Sequence, residues 1–219
     1  MRRVFVFRPG PAANRTVQKA QSMGLEVEAV PLFSLERVDW SAPPPDGFNA
    51  ILLTSANAVN LAGDQLGALR ELPVYAVGEA TAVAARVAGL GVAAVGSGGV
   101  DDLLAEIEPD VKLLHLCGED RRAPASPRQA ITAATVYRAN AVADCDLRGL
   151  RGQVAILHSP RAAQRLRELV DEATRSTVRI AAISAPTAEA AGKGWADVRT
   201  AAAPNDSELL ALAARLCET

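Results

Sequence analysis

Two stretches far apart in the chain follow one plan. Ile51-Leu52-Leu53-Thr54-Ser55-Ala56-Asn57-Ala58 is a short apolar run, then hydroxyl residues, then the start of a helical pattern. Ala155-Ile156-Leu157-His158-Ser159-Pro160-Arg161-Ala162 repeats it. A second pair follows in the same order, Tyr75-Ala76-Val77-Gly78-Glu79-Ala80-Thr81-Ala82 and Ala182-Ile183-Ser184-Ala185-Pro186-Thr187-Ala188. Ser55 and Thr81 lie 26 residues apart, Ser159 and Thr187 28. A run that is apolar at every position belongs to a strand covered on both faces, as in a parallel sheet flanked by helices. Two copies of strand, turn and helix in one order predict two similar lobes.

The rest of the chain keeps the alternation. Strands are expected at 4–7, 26–30, 50–54, 73–77, 91–95, 111–116, 153–158, 178–183 and 196–200. Helices are expected at 14–23, 56–69, 80–88, 101–107, 160–173, 186–191 and 206–217. Gly24, Gly89 and Gly192 stand where helices should stop, and Asn205, with Glu208 three residues on, where the last should start. Residues 31–38 and 131–142 break this rhythm: both are extended and alternating, and they read as the outgoing and returning strands of a two-stranded β connector. The fold class is therefore α/β, with two similar lobes, each a parallel sheet flanked by helices. One lobe is discontinuous, 1–33 plus 143–219; the other is continuous, 38–130.

Several classes of function are disfavoured. A net charge of −2 leaves no basic footprint for nucleic acid. No apolar run approaches the 18 or so residues of a membrane span, and the apolar start ends at Arg8, too short for a signal peptide. Three widely spaced cysteines without a CxxC point to a reducing compartment, so the expected location is cytoplasmic. There is no GxGxxG after a strand, no GxxxxGK[ST] and no GxSxG around Ser55 or Ser159. His115 and Cys117 share a strand face but find no further ligand, so no metal is expected and both read as core.

What remains is a repeated placement. Arg8, Thr54-Ser55, Gly78 to Thr81, Gly118 to Arg122, Ser159 to Arg161 and Ser184 to Thr187 all read as places where a parallel strand gives way to a helix. Open α/β sheets bind ligands outside the carboxyl ends of their strands, where helix N-termini present N–H groups to anions. Each Ser or Thr alone is as well explained as a helix cap, and each arginine as solvated surface. Together, with Arg121, Arg122 and Arg161, they suit a small molecule carrying several carboxylates. Tyr137 on the returning strand has two readings: a half-buried packing residue, or a donor to a leaving group.

The chain resembles the uroporphyrinogen-III synthase family, especially its bacterial forms. The resemblance is carried by Phe7-Arg8-Pro9, Leu53-Thr54-Ser55-Ala56-Asn57-Ala58-Val59, Val77-Gly78-Glu79-Ala80-Thr81-Ala82, Leu116-Cys117-Gly118-Glu119-Asp120-Arg121-Arg122, Val136-Tyr137-Arg138 and His158-Ser159-Pro160-Arg161-Ala162, in the family's order. It implies cyclisation of the linear tetrapyrrole hydroxymethylbilane with inversion of its last pyrrole ring, without cofactor or metal, by a lyase. No long apolar surface stripe demands a partner, so a monomer is expected. The resemblance implies Tyr137 as the catalytic residue assisting departure of the substrate hydroxyl. Arg8, Ser55, Gly78, Thr81, Gly118, Ser159 and Thr187 are the substrate-binding candidates. The alternatives are a two-lobed non-enzymatic binding module for a small anionic ligand and a nucleotide-dependent enzyme, which the missing phosphate loops disfavour.

Overall fold

The computed structural model describes residues 2–121 and 123–218. Along the chain it places β1 (Val4–Val6), α1 (Gly10–Ser22), β2 (Val27–Ala29), β3 (Phe33–Arg37), β4 (Ala50–Leu53), α2 (Ala56–Ala62), β5 (Val74–Val77), α3 (Glu79–Val87), β6 (Val92–Gly96), α4 (Val100–Ala105) and β7 (Lys112–Gly118). Then come β8 (Ala130–Ala141), β9 (Val154–Leu157), α5 (Pro160–Leu169), α6 (Glu172–Arg175), β10 (Arg179–Ala182), α7 (Ala185–Ala191), β11 (Asp197–Thr200) and α8 (Asp206–Glu218). The chain divides into two compact units, Met1–Ser34 with Asn140–Thr219, and Leu35–Ala139.

The discontinuous unit holds a five-stranded parallel sheet in the order β11-β10-β9-β1-β2. Its central strands are buried at every position, as their unbroken apolar runs require. Val4, Val6, Val154, Ile156 and Ala181 meet α1 and α8 through Ala13, Ala20, Leu209, Leu212 and Ala213 on one face. The alternate residues point to the opposite face, where α5 and α7 pack on each other and on β9 and β10.

The continuous unit carries the strand order β3-β8-β7-β4-β5-β6. Ile51, Leu53, Leu114 and Leu116 face α2 and α3, while Ala50, Leu52 and Leu113 face Leu103, Leu104 and Ile107 around α4. β5, β4, β7 and β8 run parallel. β3 runs against β8: the Val38 N–H donates to the Val136 carbonyl and the Val142 N–H to the Leu32 carbonyl, so residue numbers rise on one strand as they fall on the other. The two segments expected to form the connector, β3 and β8, pair with each other as expected, and β8 pairs in addition with β7 and so extends the sheet.

Two expected helices are broken. The helix expected over 56–69 stops at Gly63, whose φ of +67° leaves the α region, and continues as a 3-10 segment to Leu69. The helix expected over 160–173 ends at Leu169. Val170 is extended, and Asp171 accepts from the Thr174 N–H at 2.8 Å to start the single turn of α6. Gly24, Gly89 and Gly192 all have positive φ, as their places after helices require. Asn205 caps α8 by accepting from the Glu208 N–H at 3.0 Å.

Candidate functional site

In the continuous unit the parallel strands bring their carboxyl ends to one rim. Thr54 and Ser55 follow β4, Gly78 follows β5, Gly118 ends β7, and Tyr137 lies on β8 beside Gly118. Ser55 caps α2, its Oγ accepting from the Asn57 N–H at 3.2 Å. Gly78 has φ +81°; its N–H is spent on the Gly96 carbonyl, and its own carbonyl accepts from Thr81 and Ala82. Thr81 is buried in the first turn of α3. Tyr137 is half-buried against the Ile51–Leu116 core cluster, with its ring over Gly118.

Behind this rim, His115 Nε2 lies 3.1 Å from Thr54 Oγ1. Burial, with a smaller push from the Arg121 charge, lowers the His115 pKa to about 4. Burial raises the Cys117 thiol, with Arg121 and Thr135 pulling the other way. Both side chains are therefore uncharged core at neutral pH. The folded state binds the His115 proton less readily than the unfolded chain, so stability should fall as pH drops from about 6.5 towards about 4. Between pH 7 and 5 this one group should cost roughly 1–2 kcal/mol. Denaturant unfolding at the two pH values measures it; His115→Gln should flatten the slope, and an unchanged slope would remove His115 as its origin.

The discontinuous unit has a second rim. Ser159 caps α5, accepting from the Ala162 N–H at 3.2 Å. Thr187 is fully buried, with its Oγ1 3.0 Å from Ser184 Oγ. Arg161 lies over the Phe33 ring, 4.3 Å from its centroid. Arg8 donates from Nη1 to Asp206 at 3.0 and 3.2 Å and to Thr16 Oγ1 at 3.3 Å. Asp206 also takes the Thr16 hydroxyl at 2.8 Å and the His158 Nε2 at 3.1 Å.

Burial alone would raise the Asp206 carboxyl; the hydrogen bond from His158 and the charge of Arg8 outweigh it and hold the group well below the usual carboxylate range. Burial lowers the His158 pKa despite Asp206. His158 is then neutral, with Nε2–H donating to Asp206 and Nδ1 buried without a partner among the described residues. Asp206, Thr16 and His158 were not expected at this rim. Asn205 takes the capping role at the start of α8 and leaves the Asp206 carboxylate for Arg8.

Each rim therefore gathers its own part of the candidate set: Ser55, Gly78, Thr81, Gly118 and Tyr137 in one unit, Arg8, Ser159 and Thr187 in the other. Arg122 lies outside the described residues. A family model, Uroporphyrinogen-III synthase HemD, matches residues 14–211. The chain belongs to the uroporphyrinogen-III synthase family.

Membership makes it an enzyme of tetrapyrrole synthesis, in heme biosynthesis. Solved members share the fold. The uroporphyrinogen-III synthetase of Helicobacter pylori 26695 superposes with a TM-score of 0.68 at 18% identity, over 99% of this chain and 100% of that one. A mutant uroporphyrinogen-III synthase of the extremely thermophilic bacterium Thermus thermophilus superposes with a TM-score of 0.55 at 19% identity, over 99% of each chain. No curated protein matches the chain. Among the described residues, no helix is long and apolar enough to cross a membrane.

Proposed function

We propose that this chain is a cyclising hydro-lyase that converts hydroxymethylbilane into uroporphyrinogen III. The observation that carries the reading is the family match across residues 14–211. A rim of strand ends and helix starts, carrying Ser55, Gly78, Thr81 and Gly118 beside Tyr137, supports it. The substrate is a linear tetrapyrrole ringed by carboxylates, and N–H groups at helix starts and small hydroxyls are the groups that hold such anions.

Tyr137 assists departure of the terminal hydroxyl by donating to its oxygen, so that it leaves as water; the pyrrole N–H proton returns to the phenolate and a neutral azafulvene remains. The last ring attacks through its substituted carbon to give a spiro intermediate. One bond of that intermediate breaks and re-forms at the other side of the ring, which leaves the ring inverted. Unassisted closure gives the uninverted isomer, so the protein's main task is to hold one geometry. Arg8, Ser159 and Thr187 act at the second rim. Arg8, tied to Asp206, and Thr187, fully buried, do so chiefly by shaping it. The reaction uses no metal or cofactor, and the protein works as a cytoplasmic monomer.

The test is direct: supply hydroxymethylbilane to the purified protein and separate the product isomers. The inverted isomer is expected in excess over the protein-free control. Only the uninverted isomer, at the protein-free rate, would leave a ligand-binding module in place of an enzyme.

A further inference from the structure

We propose that Gly118 is the seat that positions the Tyr137 hydroxyl, a role that rests on the synthase reading of Tyr137. Gly118 ends β7 and pairs with Tyr137 across a register shift that falls between Cys117 and Gly118. A Cβ on Gly118 would stand 2.7 Å from Tyr137 Cζ and 2.9 Å from both Cε2 and Oη. The phenol therefore lies directly on the glycine. Gly118 is not among the glycines with positive φ, so its backbone is open to any residue. What demands glycine here is the close approach of the ring.

The backbone around the pair is fixed on both sides. The Glu119 N–H donates to the Tyr137 carbonyl at 2.9 Å, and Leu116, Ala134 and Val136 are packed in the same cluster as the ring. A methyl group at position 118 cannot be relieved by sliding the strands. The ring must turn about its own side-chain bonds, and the hydroxyl, at the end of that lever, moves furthest. Carbon atoms in contact need about 3.5–4 Å, so the ring tip must shift by roughly 1 Å. A displacement of that size at a reacting group costs on the order of 100-fold in rate.

The test is a double-mutant cycle with Gly118→Ala and Tyr137→Phe, read as kcat and KM on hydroxymethylbilane. Gly118→Ala should lower kcat about 10- to 100-fold with KM within about 3-fold. In the Tyr137→Phe background the same change should cost almost nothing, because the hydroxyl it displaces is gone. An equal loss in both backgrounds, a loss confined to KM, or no loss would overturn the proposal.

A second arm does not depend on activity. The chain has two tyrosines, Tyr75 and Tyr137, so 3-fluorotyrosine gives two fluorine resonances. Gly118→Ala should move the Tyr137 line and leave that of Tyr75, which also reports folding. An unmoved Tyr137 line overturns the seat even in an active enzyme. A wild-type protein without synthase activity would fail the synthase reading separately.

Discussion

Tyr137→Phe is expected to turn over hydroxymethylbilane on the order of 100-fold more slowly, with KM and unfolding midpoint little changed. The change removes one oxygen from a ring that stays half-buried against the same cluster. The apolar contacts of the phenol persist, so the loss falls on the step in which the substrate hydroxyl departs. Donation by a positioned side chain contributes about 100- to 10,000-fold, and the low end applies because the hydroxyl leaves partly unaided. The isomer ratio gives a second measure: slow enzymatic closure lets the unassisted reaction compete, and the uninverted share should rise. Unchanged turnover and an unchanged ratio would take Tyr137 out of the chemistry.

The largest effect on stability is expected from Asp206→Ala, about 3 kcal/mol by denaturant unfolding at pH 7. The carboxylate serves Arg8, Thr16 and His158 at once. Arg8 and Asp206 keep only 27% of their side-chain surface exposed, so the guanidinium left behind recovers little hydration. His158, 8% exposed, would lose the acceptor of its Nε2–H. The depressed Asp206 carboxyl contributes stability that is present above the unfolded value of about 3.9 and is lost as pH falls through the folded value. Replacing both charges with apolar groups, Arg8→Met with Asp206→Leu, should recover most of the loss, since no charge is then stranded. If the double variant loses as much as the sum of the single ones, Arg8 and Asp206 are not coupled.

Legibility in the sequence followed the range of the interaction that decides each feature. The strands that form the two sheet centres were legible because Val4-Phe5-Val6, Ile51-Leu52-Leu53 and Ala155-Ile156-Leu157 are apolar throughout, which only a sheet covered on both faces accommodates. Ser55 and Ser159 were legible as caps because a cap is settled within three residues. The break at Asp171 was missed because its carboxylate competes locally with continuation of an amphipathic pattern that otherwise runs on. The Arg8–Asp206 pair was not legible at all. It joins residues 198 apart, and nothing in either local pattern marks the other. The contact between Gly118 and Tyr137 was hidden for the same reason: each was singled out alone, and only strand register sets one on the other.

The pairing of β1 with β9 bears on how the polypeptide is made. Val4 is matched with Val154, so the first strand leaves the ribosome about 150 residues ahead of its neighbour. At the usual pace of synthesis that is roughly 10–30 s. Meanwhile Leu35–Ala139, a complete and contiguous unit, can collapse first. Val4, Phe5 and Val6, fully buried at the end, spend that interval with one flank of their strand unpaired. The nascent chain is therefore most exposed to misassembly and chaperone capture at β1, and a translational pause would be least harmful once β9 has emerged.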